Sequence, residues 1–104
     1  LKEIKGGVKM NEIDKVLISL GFDSSKKGYR DLKKVLEYIA ANDFEYVSII
    51  KAYQECGGIT VERNIRYILK ENYNNLRDNF YYKGKNTNKN IIYWLAYYVY
   101  SHIN

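Results

Sequence analysis

From Asn11 onward, Ile13, Val16, Leu17 and Leu20 recur at i, i+3, i+4 and i+7, the spacing that lines up apolar side chains on one face of a helix. Gly21 stands where such a helix would stop. After a turn at Asp23-Ser24-Ser25, the stripe Leu32, Val35, Leu36 and Ile39 predicts a second amphipathic helix from Gly28 to Ala41. Asn42 with Glu45 three residues on resembles a capping box, which predicts a third helix beginning there and running through Val47, Ile50 and Tyr53 to Gly57-Gly58. Thr60 is placed as the N-cap of a fourth helix with the inner stripe Val61, Ile65, Ile68, Leu69 and Leu76. A fifth, capped near Thr87 or Asn88, carries Ile91, Leu95 and Val99, with Trp94 at its side. Between the last two, residues 79–90 read as a loop or a short two-stranded hairpin around Gly84; the flanking runs are brief and alternate poorly, which favours the loop. The expected fold is a small all-α domain of about five helices over residues 11–104, with a two-stranded wing near 80–88 as the alternative for that segment.

Length and composition narrow the function classes. A chain of 104 residues allows one domain of this size. Its single Cys (Cys56) and single His (His102) exclude an intrachain disulfide and offer no set of ligands for a structural zinc site. No secretory pattern opens the chain, so a cytoplasmic location is expected. The apolar run Ile91 to Tyr100 is about half the ~20 residues a bilayer span needs, and reads as a core helix rather than a membrane segment. Lys5-Gly6-Gly7 followed by Val8-Lys9-Met10 is what translation of an in-frame purine-rich ribosome-binding sequence would give. Met10 is therefore expected to be a natural initiator, and residues 1–10 a leader or flexible arm.

Catalysis has little to build on. Nothing in the spacing places His102 beside Cys56, the neighbouring carboxylates Glu12 with Asp14 and Asp43 with Glu45 lack an obviously apolar setting, and Gly57-Gly58 is not followed by the Lys-Ser/Thr of a phosphate-binding loop. Cys56, beside the Gly-Gly turn, reads as a half-buried cap residue. The expectation is a binding protein with no cofactor and no metal.

Charge then says where binding would occur. The formal net charge is +5, and residues 59–104 carry seven basic side chains against three acidic, while residues 1–58 carry ten against nine. A helix, a Gly-containing turn and a second helix opening with Glu62, Arg63 and Arg66 make the layout of a helix-turn-helix, whose second helix enters the major groove. Arg donates twice to guanine, Glu accepts from cytosine and Asn pairs with adenine, so Thr60, Glu62, Arg63, Asn64, Arg66, Tyr67 and Lys70 are the expected DNA-binding residues of that helix. Glu62 and Arg66 are also spaced to form an i, i+4 ion pair on a solvated face. Lys83, Lys85, Asn86, Asn88 and Lys89 supply a loop suited to phosphate oxygens, with Tyr81 and Tyr82 beside it as further contacts. Tyr93, Tyr97, Tyr98 and Tyr100 point in different directions around one helix and form no stacking row; core or dimer packing is expected of them.

In order along the chain, Leu20-Gly21, Lys27-Gly28-Tyr29 with Leu32, Val61-Glu62-Arg63-Asn64-Ile65-Arg66 and Lys85-Asn86-Thr87-Asn88 with Ile91 or Ile92 resemble the C-terminal DNA-binding effector domain of the sporulation initiation response regulator. The similarity covers Leu17 to the C-terminus. It implies an all-α fold with a helix-turn-helix, promoter binding as head-to-tail pairs and contact with RNA polymerase sigma factors. It also puts Glu62, Arg63 and Arg66 on the recognition helix, with Tyr67 where the family often has His. Three departures bear on function. These residues include no receiver domain, the segment before the helix-turn-helix is shorter than in the family, and Thr60 replaces an Arg that contacts bases, so the sequence recognised is expected to differ. The reading is a homodimeric, sequence-specific double-stranded DNA-binding protein acting as a transcriptional regulator. The alternatives are an accessory protein at a plasmid or phage transfer or replication origin, working with other DNA-processing proteins, and a protein-interaction module with its surface on the last helix.

Overall fold

The computed structural model describes residues 10–43 and 47–102. Among these residues the chain forms five helices and no strand: α1 Met10–Ser19, α2 Lys27–Ala41, α3 Ile49–Cys56, α4 Ile59–Asn79 and α5 Asn88–His102. The leader expected over residues 1–10 lies almost wholly outside the described residues, as does Glu45.

The predicted stripes of α1, α2, α4 and α5 are the core; on α3 the expected Ile50 is exposed and Ile49 and Ala52 are buried instead. Ile13, Val16 and Leu17 of α1, with Leu20 just past its end, meet Leu32, Val35, Leu36 and Ile39 of α2, and all of the inner positions named for α4 and α5 are buried with them. Such burial is worth about 1.5–3 kcal/mol for each large side chain taken fully out of water. α1 ends on Gly21 at φ 90°, whose amide donates to the Ile18 carbonyl while that of Phe22 donates to Leu17, the paired bonds of a left-handed glycine stop. The Leu20 carbonyl accepts from the side-chain amides of Asn72 and Asn75, which pins the end of α1 to α4.

The central crossing is α2 on α4, and Gly28 permits it. A Cβ on Gly28 would stand 2.3 Å from the Asn64 carbonyl oxygen and 3.0 Å from Ile68, so only glycine lets the two backbones approach this closely. Next to it, the Tyr29 hydroxyl donates to Asp14 at 2.6 Å, and Lys33 reaches the other oxygen of the same carboxylate at 2.6 Å. The Lys-Gly-Tyr segment thus locks α2 against α4 on one side and α1 on the other.

Three expected boundaries are corrected. Asn42 does not start a helix: its side-chain amide donates to the Tyr38 carbonyl and closes α2, and α3 begins only at Ile49, where Ser48 is the N-cap accepting from the Lys51 amide. Thr60 lies inside the first turn of α4 rather than at its cap; Gly58 at φ 78° turns the chain directly into Ile59. Residues 80–87 form an irregular connection with no strand, so no two-stranded wing forms there. Thr87 caps α5 as expected, its hydroxyl accepting from the Asn90 amide.

Candidate nucleic-acid interface

With Val61, Ile65, Ile68 and Leu69 buried beneath it, α4 must turn its intervening residues outward. At about 100° per residue, Arg63, Tyr67, Lys70 and Asn74 make the crest of the helix, and all four are exposed. Thr60 is exposed in the first turn. Arg66 lies on one shoulder, where its guanidinium meets Glu62 at 2.5 Å. Below that pair sits Tyr53 of α3, its hydroxyl buried without a hydrogen-bond partner. Burial, and next the charge of Glu62, hold that phenol up at about 12. Asn64 lies on the opposite shoulder, about 160° around from Arg66. Its side-chain amide donates to Asp31 of α2 at 2.8 Å and braces the α2–α4 crossing.

The two expected sets of contacts come together on one surface. A trough of about 440 Å³ runs between the middle of α4 and the start of α5, lined by Arg66, Lys70, Tyr73 and Asn74 from one side and Asn86 and Asn88 from the other. Lys83 and Lys85 are exposed on the connection that precedes α5, and Lys89 is exposed in the first turn of α5. Neither they nor Arg63 and Lys70 make an ion pair among the described residues, so five cations face solvent without compensation. Arg77 differs, being bridged to Asp78 and placed over the Tyr73 ring.

Of the two tyrosines expected beside the loop, only Tyr81 faces solvent, 76% exposed and held at φ 60°. Tyr82 is core. It packs edge-on against Tyr73 and Trp94, and its hydroxyl donates to the Lys85 carbonyl, so it shapes the loop rather than contacting a ligand. On α5, Tyr97 and Tyr100 are exposed while Tyr93 and Tyr98 are half-buried. Cys56 is the half-buried last residue of α3, and burial pushes its thiol up, away from the reactive thiolate. Among the described residues no group of three or more metal-ligating side chains occurs, and no helix is long and apolar enough to cross a membrane.

One cationic feature escaped sequence reasoning. A groove of about 760 Å³ lies between the start of α2 and the α3–α4 turn, and Lys26, Lys27, Arg30, Lys33 and Lys34 line it with Asp31 as their single acid. Counting charge by halves of the chain hid this cluster, because acids elsewhere before residue 59 cancel it. A nine-residue window over 26–34 reveals it. Comparison with protein-family models, curated proteins and solved structures finds no match to this chain.

Proposed function

We propose that this chain binds double-stranded DNA sequence-specifically, with α3, the Gly57-Gly58 turn and α4 acting as a helix-turn-helix whose second helix reads the major groove. The observation that carries this reading is the crest of α4: an unpaired Arg63 beside Arg66 and Glu62, with Arg66 and Lys70 sharing one trough with Asn86 and Asn88. Arg63 and Arg66 are the base readers, each able to donate twice to the O6 and N7 of a guanine. Glu62 orients Arg66 in the free protein and accepts from a cytosine N4 when the pair opens on DNA. Lys83, Lys85 and Lys89 take phosphates. The effector-domain resemblance of the Lys-Gly-Tyr and Val-Glu-Arg segments supports the same assignment, and the Gly28 crossing gives the first of them a physical reason.

In this reading the protein is a cytoplasmic transcriptional regulator acting as a homodimer on paired half-sites, in reach of RNA polymerase. The exposed Tyr97 and Tyr100 on α5 are the surface offered to the second copy. Action at a plasmid or phage origin uses the same chemistry and differs only in the site bound. Selection from a randomised duplex library at physiological salt tests the proposal. It should converge on one sequence, arranged as two half-sites about one or a whole number of helical turns apart. A pool that stays random, with binding only at low salt, would reduce the basic surface to non-specific attraction.

A further inference from the structure

We propose that the first two turns of α2 are a second clamp on the duplex backbone, gripping the strand opposite the one held by the Lys83–Lys89 connection. This rests on the major-groove reading of α4 and adds residues that reading does not use.

The placement follows from which side of α4 each cationic group occupies. Thr60 and Asn64 line the α2 groove, whereas Arg66, Lys70 and Asn74 line the trough toward the start of α5. Asn64 and Arg66 point about 160° apart on the helix, so the crest carrying Arg63 stands between two basic shoulders. A helix about 10–12 Å across with its side chains fills a major groove about 12 Å wide. Groups just outside its two shoulders then meet the phosphates of the two bordering strands.

The α2 shoulder has cations to spare. Lys33 is bridged to Asp14 and Lys26 to Glu71, and the Asp31 carboxylate already accepts from Asn64. Lys27, Arg30 and Lys34 are exposed and make no ion pair among the described residues. Their position also runs against the preference of the helix. The first turn of α2 holds no acid, and Lys26 at its N-cap makes no side-chain cap bond, so Lys27 and Arg30 sit at the positive end of the helix dipole. A phosphate at this site relieves both the uncapped amides and the crowded charge. Gly28 brings this end of α2 against the α4 backbone, so the α2 cations stand directly beside the helix that carries the crest.

The test uses the duplex recovered by selection, made with methylphosphonates that neutralise the phosphates of one strand or the other. The unmodified protein should lose affinity for both substituted duplexes. The triple variant Lys27→Gln, Arg30→Gln, Lys34→Gln should become insensitive to substitution on one strand, and Lys83→Gln, Lys85→Gln, Lys89→Gln insensitive on the other. For three lost contacts the α2 variant's slope of log affinity against log salt should shrink by about 2.7, so it loses ~40-fold less affinity than the parent between 50 and 200 mM salt. Its preferred sequence should not change, and its melting temperature should stay equal or rise, because like charge leaves a helix N-terminus. An α2 variant that keeps the parent's salt slope and its sensitivity on both strands overturns the clamp. Failure of the underlying reading looks different: the parent itself then recovers no preferred duplex.

Discussion

Gly28→Ala sets two well-measured effects against each other, and the α2–α4 crossing decides the sign. Gly28 lies in the first turn of α2 at an ordinary helical φ, so helix propensity alone favours Ala by up to about 1 kcal/mol. The new methyl group, however, would stand 2.3 Å from the carbonyl oxygen of Asn64 and 3.0 Å from both Cβ and Cγ2 of Ile68. The oxygen belongs to the α4 backbone and cannot swing aside as a side chain would, so the helices must separate by about an ångström. Overpacking of this kind costs about 1–3 kcal/mol, and a backbone contact belongs at the upper end. The net expectation is a destabilisation of about 1–2 kcal/mol, or about 5–15 °C in melting temperature for a domain of this size. Urea unfolding followed by circular dichroism measures it, with the shift in midpoint and an unchanged slope. Gly58→Ala is the companion: nothing lies within 4 Å of its would-be Cβ, but its φ of +78° with ψ of −140° is a combination nearly confined to glycine, and about 1–3 kcal/mol of backbone strain is the expected loss. A Gly28→Ala protein as stable as the parent, or more so, would refute the close crossing.

Acid pH should weaken the hold of α1 on α2. Burial alone would raise the Asp14 carboxyl, but hydrogen bonds from Lys33 and Tyr29 outweigh it and hold the group below its ordinary value. Its contribution is therefore complete above the unfolded carboxylate range and disappears as pH falls through the lowered value. Asp14→Asn should lose about 1 kcal/mol at neutral pH, discounted for partial exposure, and nothing in strong acid, as thermal melts across pH would record. Glu37 has the opposite sign: burial raises its carboxyl, and its Oε2 is buried without a partner. Glu37→Gln should raise the melting temperature at neutral pH, with the gain fading as pH falls through the raised value. Tyr82→Phe should loosen the connection where the hydroxyl meets Lys85, seen as faster amide exchange over residues 83–87. Tyr82→Ala should cost about 3 kcal/mol or more, because it empties a site between Tyr73 and Trp94.

How far the fold could be read from the chain depended on the kind of signal. The inner faces of α1, α2, α4 and α5 were legible because a 3.6-residue apolar period survives any detail of packing. Helix ends were less so, since one residue type serves opposite purposes. Asn42 has the chemistry of a start and performs that of a stop, accepting the role because Tyr38 offers its carbonyl four residues back. Thr60 could have capped α4, but two glycines with positive φ make the turn and Gly58 takes the cap position two residues earlier. Tyr82 was assigned to the lysines beside it in sequence, while in space it belongs to an aromatic cluster contributed by α4 and α5. The charged crest of α4 could be found by counting along one helix. Asn64's engagement with Asp31, thirty-three residues away, needed the fold, whereas the cations at the start of α2 lie within residues 26–34 and only the groove they line with the α3–α4 turn needed it.

The central claim is that the crest of α4 reads bases, and base-by-base binding profiles of Arg63→Ala and Arg66→Ala beside the parent test it most directly. Measured at physiological salt on the selected duplex and its single-base variants, each substitution should remove about 1–3 kcal/mol of discrimination at its own base position and leave the others intact. Equal, sequence-independent weakening in both variants would make these arginines phosphate contacts, and profiles matching the parent would place recognition elsewhere.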